Sequence, residues 1–203
     1  MGMYLSLAAL RQETIDRLHA DPPLAWQVVS PEDDQAVARA RGTLRRPGFF
    51  ARLFGRKEPA PPPPAESLPL TDGEGEAVDL DKAWHGLHYL LTGTAWEGDP
   101  PLNFLVAGGR EVGEEEIGYG PARTFTPEET RTIADALSKI SDQGLRDRFN
   151  PKEMMRLEIY PEIWDRDPAE DDTLGYLMEH VRSLRVTLDR LATDGYGMMV
   201  TIS

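Results

Sequence analysis

Two short apolar runs stand at opposite ends of this chain, Met3 to Leu7 and Met198 to Ile202. A lone strand leaves its backbone N–H and C=O groups without partners, so each run needs the other, and the ends are predicted to meet in one small sheet. Most of the sequence between them has helical period. From about Ala169 to Ala192, the residues Leu174, Leu177, Met178, Val181, Leu184, Leu188 and Leu191 share one face, and Asp194-Gly195 supplies the stop. Thr126-Pro127-Glu128-Glu129 reads as a helix start in which Thr126 caps, Pro127 takes the first position and Glu129 reaches back as a capping box, ahead of a buried stripe of Ile133, Leu137 and Ile140. Further helices are expected from Arg11 to His19 with Leu10, Ile15 and Leu18 on one face, from Ser30 to about Arg41, and from Ser141 to Phe149. The fold class is therefore α+β: a single domain with a small mixed or antiparallel sheet that includes both terminal strands, covered by several helices.

Two aromatic-rich segments lie far apart in this framework. Asp79 to Gly93 reads as a helix, with Asp79 or Asp81 to accept the first orphan N–H groups and Gly93 to end it in the left-handed conformation. Trp84, Leu87, Leu90 and Leu91 form its core-facing stripe, and His88, one turn beyond Trp84, falls at the edge of that stripe. The second segment, Leu157 to Trp164, carries Glu158, Tyr160 and Trp164.

The run Asp-Leu-Asp-Lys-x-Trp-x-x-Leu-His-Tyr-x-Leu-Thr-Gly resembles the YfbM-like family of small bacterial proteins. So do Gly108-Gly109, Ile117-Gly118-Tyr119-Gly120-Pro121-Ala122-Arg123 and Leu157-Glu158-Ile159-Tyr160-Pro161. The opening Met1-Gly2-Met3 and the closing strand extend the likeness to most of the chain outside residues 42–76. It implies an α+β fold and a domain of unknown function, with no catalytic residues to carry over. His88 fits the pattern, whereas His85 stands where the resemblance implies an acidic or polar residue.

The formal charge is −13, and the cations are clustered: Arg41, Arg45, Arg46, Arg52, Arg56 and Lys57 lie within seventeen residues that contain no acid. Chain this acidic repels phosphate backbones at long range, so general nucleic-acid binding is not expected, and a basic protein is the partner its charge suits. Residues 42–76 change character, with four consecutive prolines from Pro61 to Pro64, and read as an extended or mobile insertion. Within it Phe49, Phe50, Arg52 and Phe54 interleave aromatics with cations, a pattern suited either to membrane-surface contact or to packing back on the domain. There is no cysteine, which removes thiolate chemistry and disulfides. No stretch approaches the ~18 consecutive apolar residues of a membrane span, and the opening residues lack a signal-peptide pattern, so the expected location is cytoplasmic.

Few residues carry chemistry. His85 and His88 stand three apart on a helix, but two imidazoles without further ligands do not make a metal site, and none is expected. Asp165 to Asp172 is rich in carboxylates, yet Pro168 and the missing turn glycine break the calcium-loop pattern, so a helix start that collects acids is the simpler reading. The glycine pairs match no nucleotide-binding fingerprint and no cofactor is expected. Thr92, Ser141 and Ser183 read as caps or surface hydroxyls. One constellation stands out: His88, Tyr119, Arg123, Glu158 and Tyr160 are polar members of otherwise apolar or glycine-rich stretches. Converging, they would line a ligand pocket or hydrolytic site, with His88 as acid or base, Glu158 orienting it and Arg123 holding an anion. Dispersed, they would be structural, with Arg123 and Glu158 paired. The leading reading is a non-enzymatic interaction or accessory protein with an acidic surface; the alternative is a small-molecule binder or hydrolase at those five residues.

Overall fold

The computed structural model describes residues 2–33, 35–42, 67–114 and 116–203. Its sheet has five strands, β1 (Leu5–Leu10), β2 (Ala77–Asp79), β3 (Arg110–Glu111), β4 (Arg123–Phe125) and β5 (Gly197–Ile202). They run antiparallel in the order β2-β1-β5-β4-β3. The predicted pairing of the two ends of the sequence is the centre of this sheet, in register from Leu5 opposite Ile202 to Leu10 opposite Gly197. β1 extends three residues past the expected Leu7, because both faces of the sheet are covered and a strand buried on both sides reads as a continuous apolar run. Leu10, expected on the first helix, is accordingly a strand residue.

Eight α-helices surround the sheet among the described residues: α1 (Gln12–Ala20), α2 (Ala25–Val29), α3 (Ala36–Ala40), α4 (Trp84–Thr92), α5 (Pro127–Ser138), α6 (Asp142–Arg148), α7 (Pro151–Arg156) and α8 (Thr173–Asp194). The capping box at Thr126 and Glu129 is present as read from the sequence, and Ser141 and Asn150 cap the two short helices that follow. The helix expected from Ser30 to Arg41 is not continuous. Pro22 and Pro23 open a 3₁₀ turn that runs into α2, and α2 ends at Ser30, whose place before Pro31 disfavours helical backbone; only Ala36 to Ala40 resumes it.

The apolar residues divide between the two faces. Leu5, Leu7, Met198 and Val200 point into the larger core with α4, α5 and α8, while Ala8, Leu10 and Met199 join Ile15 and Leu18 of α1, Leu24 of the 3₁₀ turn and Val28 of α2 on the other. α4 is buried on every side, from Trp84 to Leu91. The expectation of a one-sided stripe with His88 at its edge is corrected here, since a helix enclosed all round has no solvent edge. Enclosure depends on Gly86: a Cβ there would stand 2.7 Å from Cη2 of Trp164 and 2.8 Å from Cδ2 of Leu177.

Residues 43–66 of the expected insertion, including Phe49, Phe50, Arg52 and Phe54, lie outside the described residues. Its last part belongs to the packed body. Leu68 is buried in the smaller core, and the Glu74 carboxylate accepts hydrogen bonds from the Arg11 N–H (2.7 Å) and the Thr71 N–H (2.9 Å). Burial alone would push the Glu74 carboxyl upward, but hydrogen bonds from Thr14, Arg11 and Thr71 outweigh it and hold the group below the usual glutamate range.

Two outcomes follow for stability. Gly86→Ala should lower the free energy of unfolding by roughly 1–3 kcal/mol through overpacking against Trp164, despite alanine's better helix propensity; a urea titration that found it neutral would refute the close approach. Deletion of residues 44–66 should leave cooperative unfolding intact, whereas Glu74→Ala should cost roughly 1–3 kcal/mol by orphaning buried donors. Paired thermal melts of the two variants check that division.

Candidate functional site

The two aromatic segments converge on the start of β1. Asp79 Oδ1 accepts from the Asp81 N–H at 2.7 Å, a 3₁₀ turn (Asp81–Ala83) leads into α4, and Gly93 in the left-handed conformation ends the helix. Trp84 donates its indole N–H to the Met3 carbonyl at 3.3 Å, and the Tyr160 hydroxyl accepts from the Met3 N–H at 3.0 Å. The Trp84 and Tyr160 rings lie 6.1 Å apart. Trp164, buried beside Gly86, fixes the loop by donating to the Ile159 carbonyl at 2.6 Å.

His85 joins these segments. Its Nδ1 accepts the Tyr160 N–H at 3.0 Å, so the proton sits on Nε2 and is donated to the Ala95 carbonyl at 2.7 Å. Burial lowers its pKa, opposed in part by the Ala95 hydrogen bond. Both nitrogens are engaged, which leaves no lone pair for a metal and no proton to exchange. The ring is stacked on Trp84 at 4.9 Å and packs against Trp96 at 4.3 Å, tilted by 41°. Trp96 itself is 57% exposed. Sequence reasoning set His85 aside and missed Trp96. The legible signal was a tryptophan placed in a run of turn formers, Thr92-Gly93-Thr94-Ala95-Trp96-Glu97-Gly98, where nothing in the pattern buries it.

His88 is fully buried one turn along α4. Its Nε2 faces the Thr92 hydroxyl at 3.3 Å, and its Nδ1 has no hydrogen-bond partner among the described residues. Burial is the main reason its pKa falls to about 4; the neighbouring His85 adds to the drop and the Glu97 carbonyl opposes it. The imidazole is therefore neutral at physiological pH. Among the described residues no group of three or more His, Cys, Asp or Glu is placed to hold a metal ion.

Arg123 and Tyr119 lie elsewhere, at the opposite edge of β5. Gly118, at φ +101°, passes so close to β5 that a Cβ would collide with the Ile202 carbonyl, and this approach lets the Tyr119 N–H donate to Ile202 O at 2.7 Å. The Tyr119 side chain is 54% exposed. Arg123 donates to the carbonyls of Phe104 (3.1 Å), Leu105 (2.8 Å) and Gly108 (3.1 Å), and so ties down the turn before β3. Burial pulls its pKa down to about 10, with Glu111 acting against the drop. The expected Arg123–Glu158 pair is not formed; Glu158 is exposed, in a left-handed conformation at φ +53°. Of the five sequence candidates, Tyr119 and Arg123 line one cleft of about 170 Å³ that includes none of the other three. His88 and Tyr160 instead flank His85.

The comparisons agree with this architecture. A family profile described as "Domain of unknown function (DUF1877)" matches residues 1–201. The chain belongs to this family. Among curated proteins, the chain is 27% identical to "Protein YfbM" of Escherichia coli (strain K12) over 164 residues, 76% of this chain and 96% of that one. A crystal structure titled as a protein of unknown function, YfbM from Escherichia coli, covers all of both chains with a TM-score of 0.60 and 20% identity, a likeness of fold. The resemblance drawn from Asp79 to Gly93, Tyr119 to Arg123 and Leu157 to Pro161 is thereby established as DUF1877 membership.

The buried histidines give this family member a defined response to acid. The unfolded chain binds a proton on His88 near pH 6.5 and the folded chain only near pH 4. Stability from this group is therefore full above pH 6.5 and is lost as pH falls towards 4, by up to about 3 kcal/mol at 1.36 kcal/mol per pKa unit. Urea midpoints measured at pH 7 and pH 5 should show the loss, and His88→Gln should flatten it; an equal loss in that variant would assign the effect to other groups.

Proposed function

We propose that the protein is a non-enzymatic interaction or accessory protein of the bacterial cytoplasm, which recognises a basic protein partner through an acidic surface anchored at Trp96. The observation that carries this reading is that Trp96 is exposed yet braced, its ring 4.3 Å from that of His85, whose own orientation is fixed by two hydrogen bonds. An aromatic held in place before binding loses little conformational entropy on association, and tryptophan is among the residues enriched as interface anchors. Its surroundings are acidic. Glu97 and Asp99 are its exposed neighbours in the chain, and the segment that hydrogen-bonds to His85 brings exposed Glu158 and Glu162.

The same geometry argues against catalysis at the sequence candidates. His85 has no free nitrogen, His88 is buried and neutral, and Arg123 spends three of its five guanidinium protons on backbone carbonyls, beside a cleft that neither histidine lines. The cysteine-free composition suits a reducing compartment, and no helix among the described residues is long and apolar enough to cross a membrane.

Affinity capture from a bacterial lysate with the wild-type protein, beside Trp96→Ala and Glu158→Lys/Glu162→Lys, tests the proposal. A basic partner should be retained, with Trp96→Ala weakening it by about 30-fold or more, the ~2 kcal/mol of an interface anchor. Retention should fall as salt rises. Capture unchanged by both variants would defeat the reading.

A further inference from the structure

The cleft beside Arg123 has a chemistry that the interaction surface at Trp96 does not use. The sheet register sets it up: Arg123 lies opposite Glu111 on one side and opposite Val200 on the other, so the three form one row across β3, β4 and β5. Directly opposed residues project from the same face of a sheet. Val106 and Ile202 extend the apolar wall, and Tyr119 stands at the rim. At about 170 Å³ the space is smaller than the ~300 Å³ at which ordinary ligand pockets begin, so it selects a small occupant. Val106, Glu111 and Arg123 also line a larger neighbouring depression of about 810 Å³, which gives the cleft an approach from solvent.

The two charges are close without being joined. Glu111 raises the pKa of Arg123, yet no ion pair forms between them, because the guanidinium is turned towards the carbonyls of Phe104, Leu105 and Gly108. Those three bonds take three of the five guanidinium protons, and no described acceptor takes the Nε proton or the second proton on Nη2. An apolar ligand would leave these donors unsatisfied. A simple anion would meet the Glu111 carboxylate, and a simple cation would meet Arg123. A molecule with a carboxylate and an ammonium a few ångströms apart satisfies both, and the wall of Val106, Val200 and Ile202 accepts a short aliphatic group.

We propose that this cleft binds a small zwitterion of the α-amino-acid class, its carboxylate on Arg123, its ammonium on Glu111 and its aliphatic side chain against Val106, Val200 and Ile202. Removing one partner of such a charged contact should weaken binding by about tenfold or more.

The probes are L-valine and its two halves, isovalerate, which lacks the ammonium, and isobutylamine, which lacks the carboxylate. Each is titrated into the full chain, with backbone amide NMR shifts and melting temperature as readouts. Valine should give a saturable response centred on residues 106, 119–123 and 200, with both halves at least tenfold weaker. Glu111→Gln and Tyr119→Ala, both at exposed positions, should keep the fold by circular dichroism while weakening valine by about tenfold or more. No saturable response to valine, or valine binding unchanged in both variants, would overturn the proposal. Isovalerate binding as tightly as valine, and more tightly in Glu111→Gln, would show a plain anion site and overturn it equally.

Discussion

The antiparallel ladder between β1 and β5 is the contact on which the other features depend. It joins the two ends of the described sequence over six residues, and each flank of that ladder carries one functional candidate. On the β1 side, the start of the strand offers the Met3 backbone to Trp84 and Tyr160, which brings two aromatic segments to one place. On the β5 side, Val200 sets the row that holds Arg123 and Glu111, and Ile202 receives the Tyr119 loop. A slip of one residue in this ladder would reverse every side chain between the two cores.

Much of the architecture was legible because it rests on local chemistry. Thr126 with Glu129, Gly93 and Gly195 each mark a helix end through a specific backbone demand, and the structure has a helix end at each. The terminal strands were legible because unpaired strands are not stable. What the sequence hid depends on contacts between distant residues. The full enclosure of α4 is invisible in its own pattern, since histidines at positions 85 and 88 look polar until Tyr160 and Ala95 arrive to bond one of them. Ser30-Pro31 had the composition of a helix start, but the turn begun by Pro22 and Pro23 had already built α2 across the expected gap. Of the constellation read from the sequence, only Tyr119 and Arg123 share a cleft, because Glu158 is carried on the other segment and faces solvent.

Charge is handled differently on the two sides of the molecule. Near α4 both histidines are buried with lowered pKa values, and His85 is held by two hydrogen bonds, so the exposed Trp96 ring rests on a packed aromatic block. Around Arg123 a cation is kept partly buried without a carboxylate bonded to it, which raises its electrostatic reach into the space it faces. A DUF1877 member thus combines a braced aromatic on one flank with an unneutralised arginine on the other.

The position of β5 in the sheet has a consequence for how such a chain is made. β5 is the central strand and also the latest in sequence of the five described strands, so before it is made β1 has one edge open and the β3–β4 hairpin has no sheet to join. Neither core can close until that strand emerges, and the contacts formed then span nearly the whole sequence, a topology that folds slowly. Until that moment β1 carries an open apolar edge of the kind that pairs with other chains.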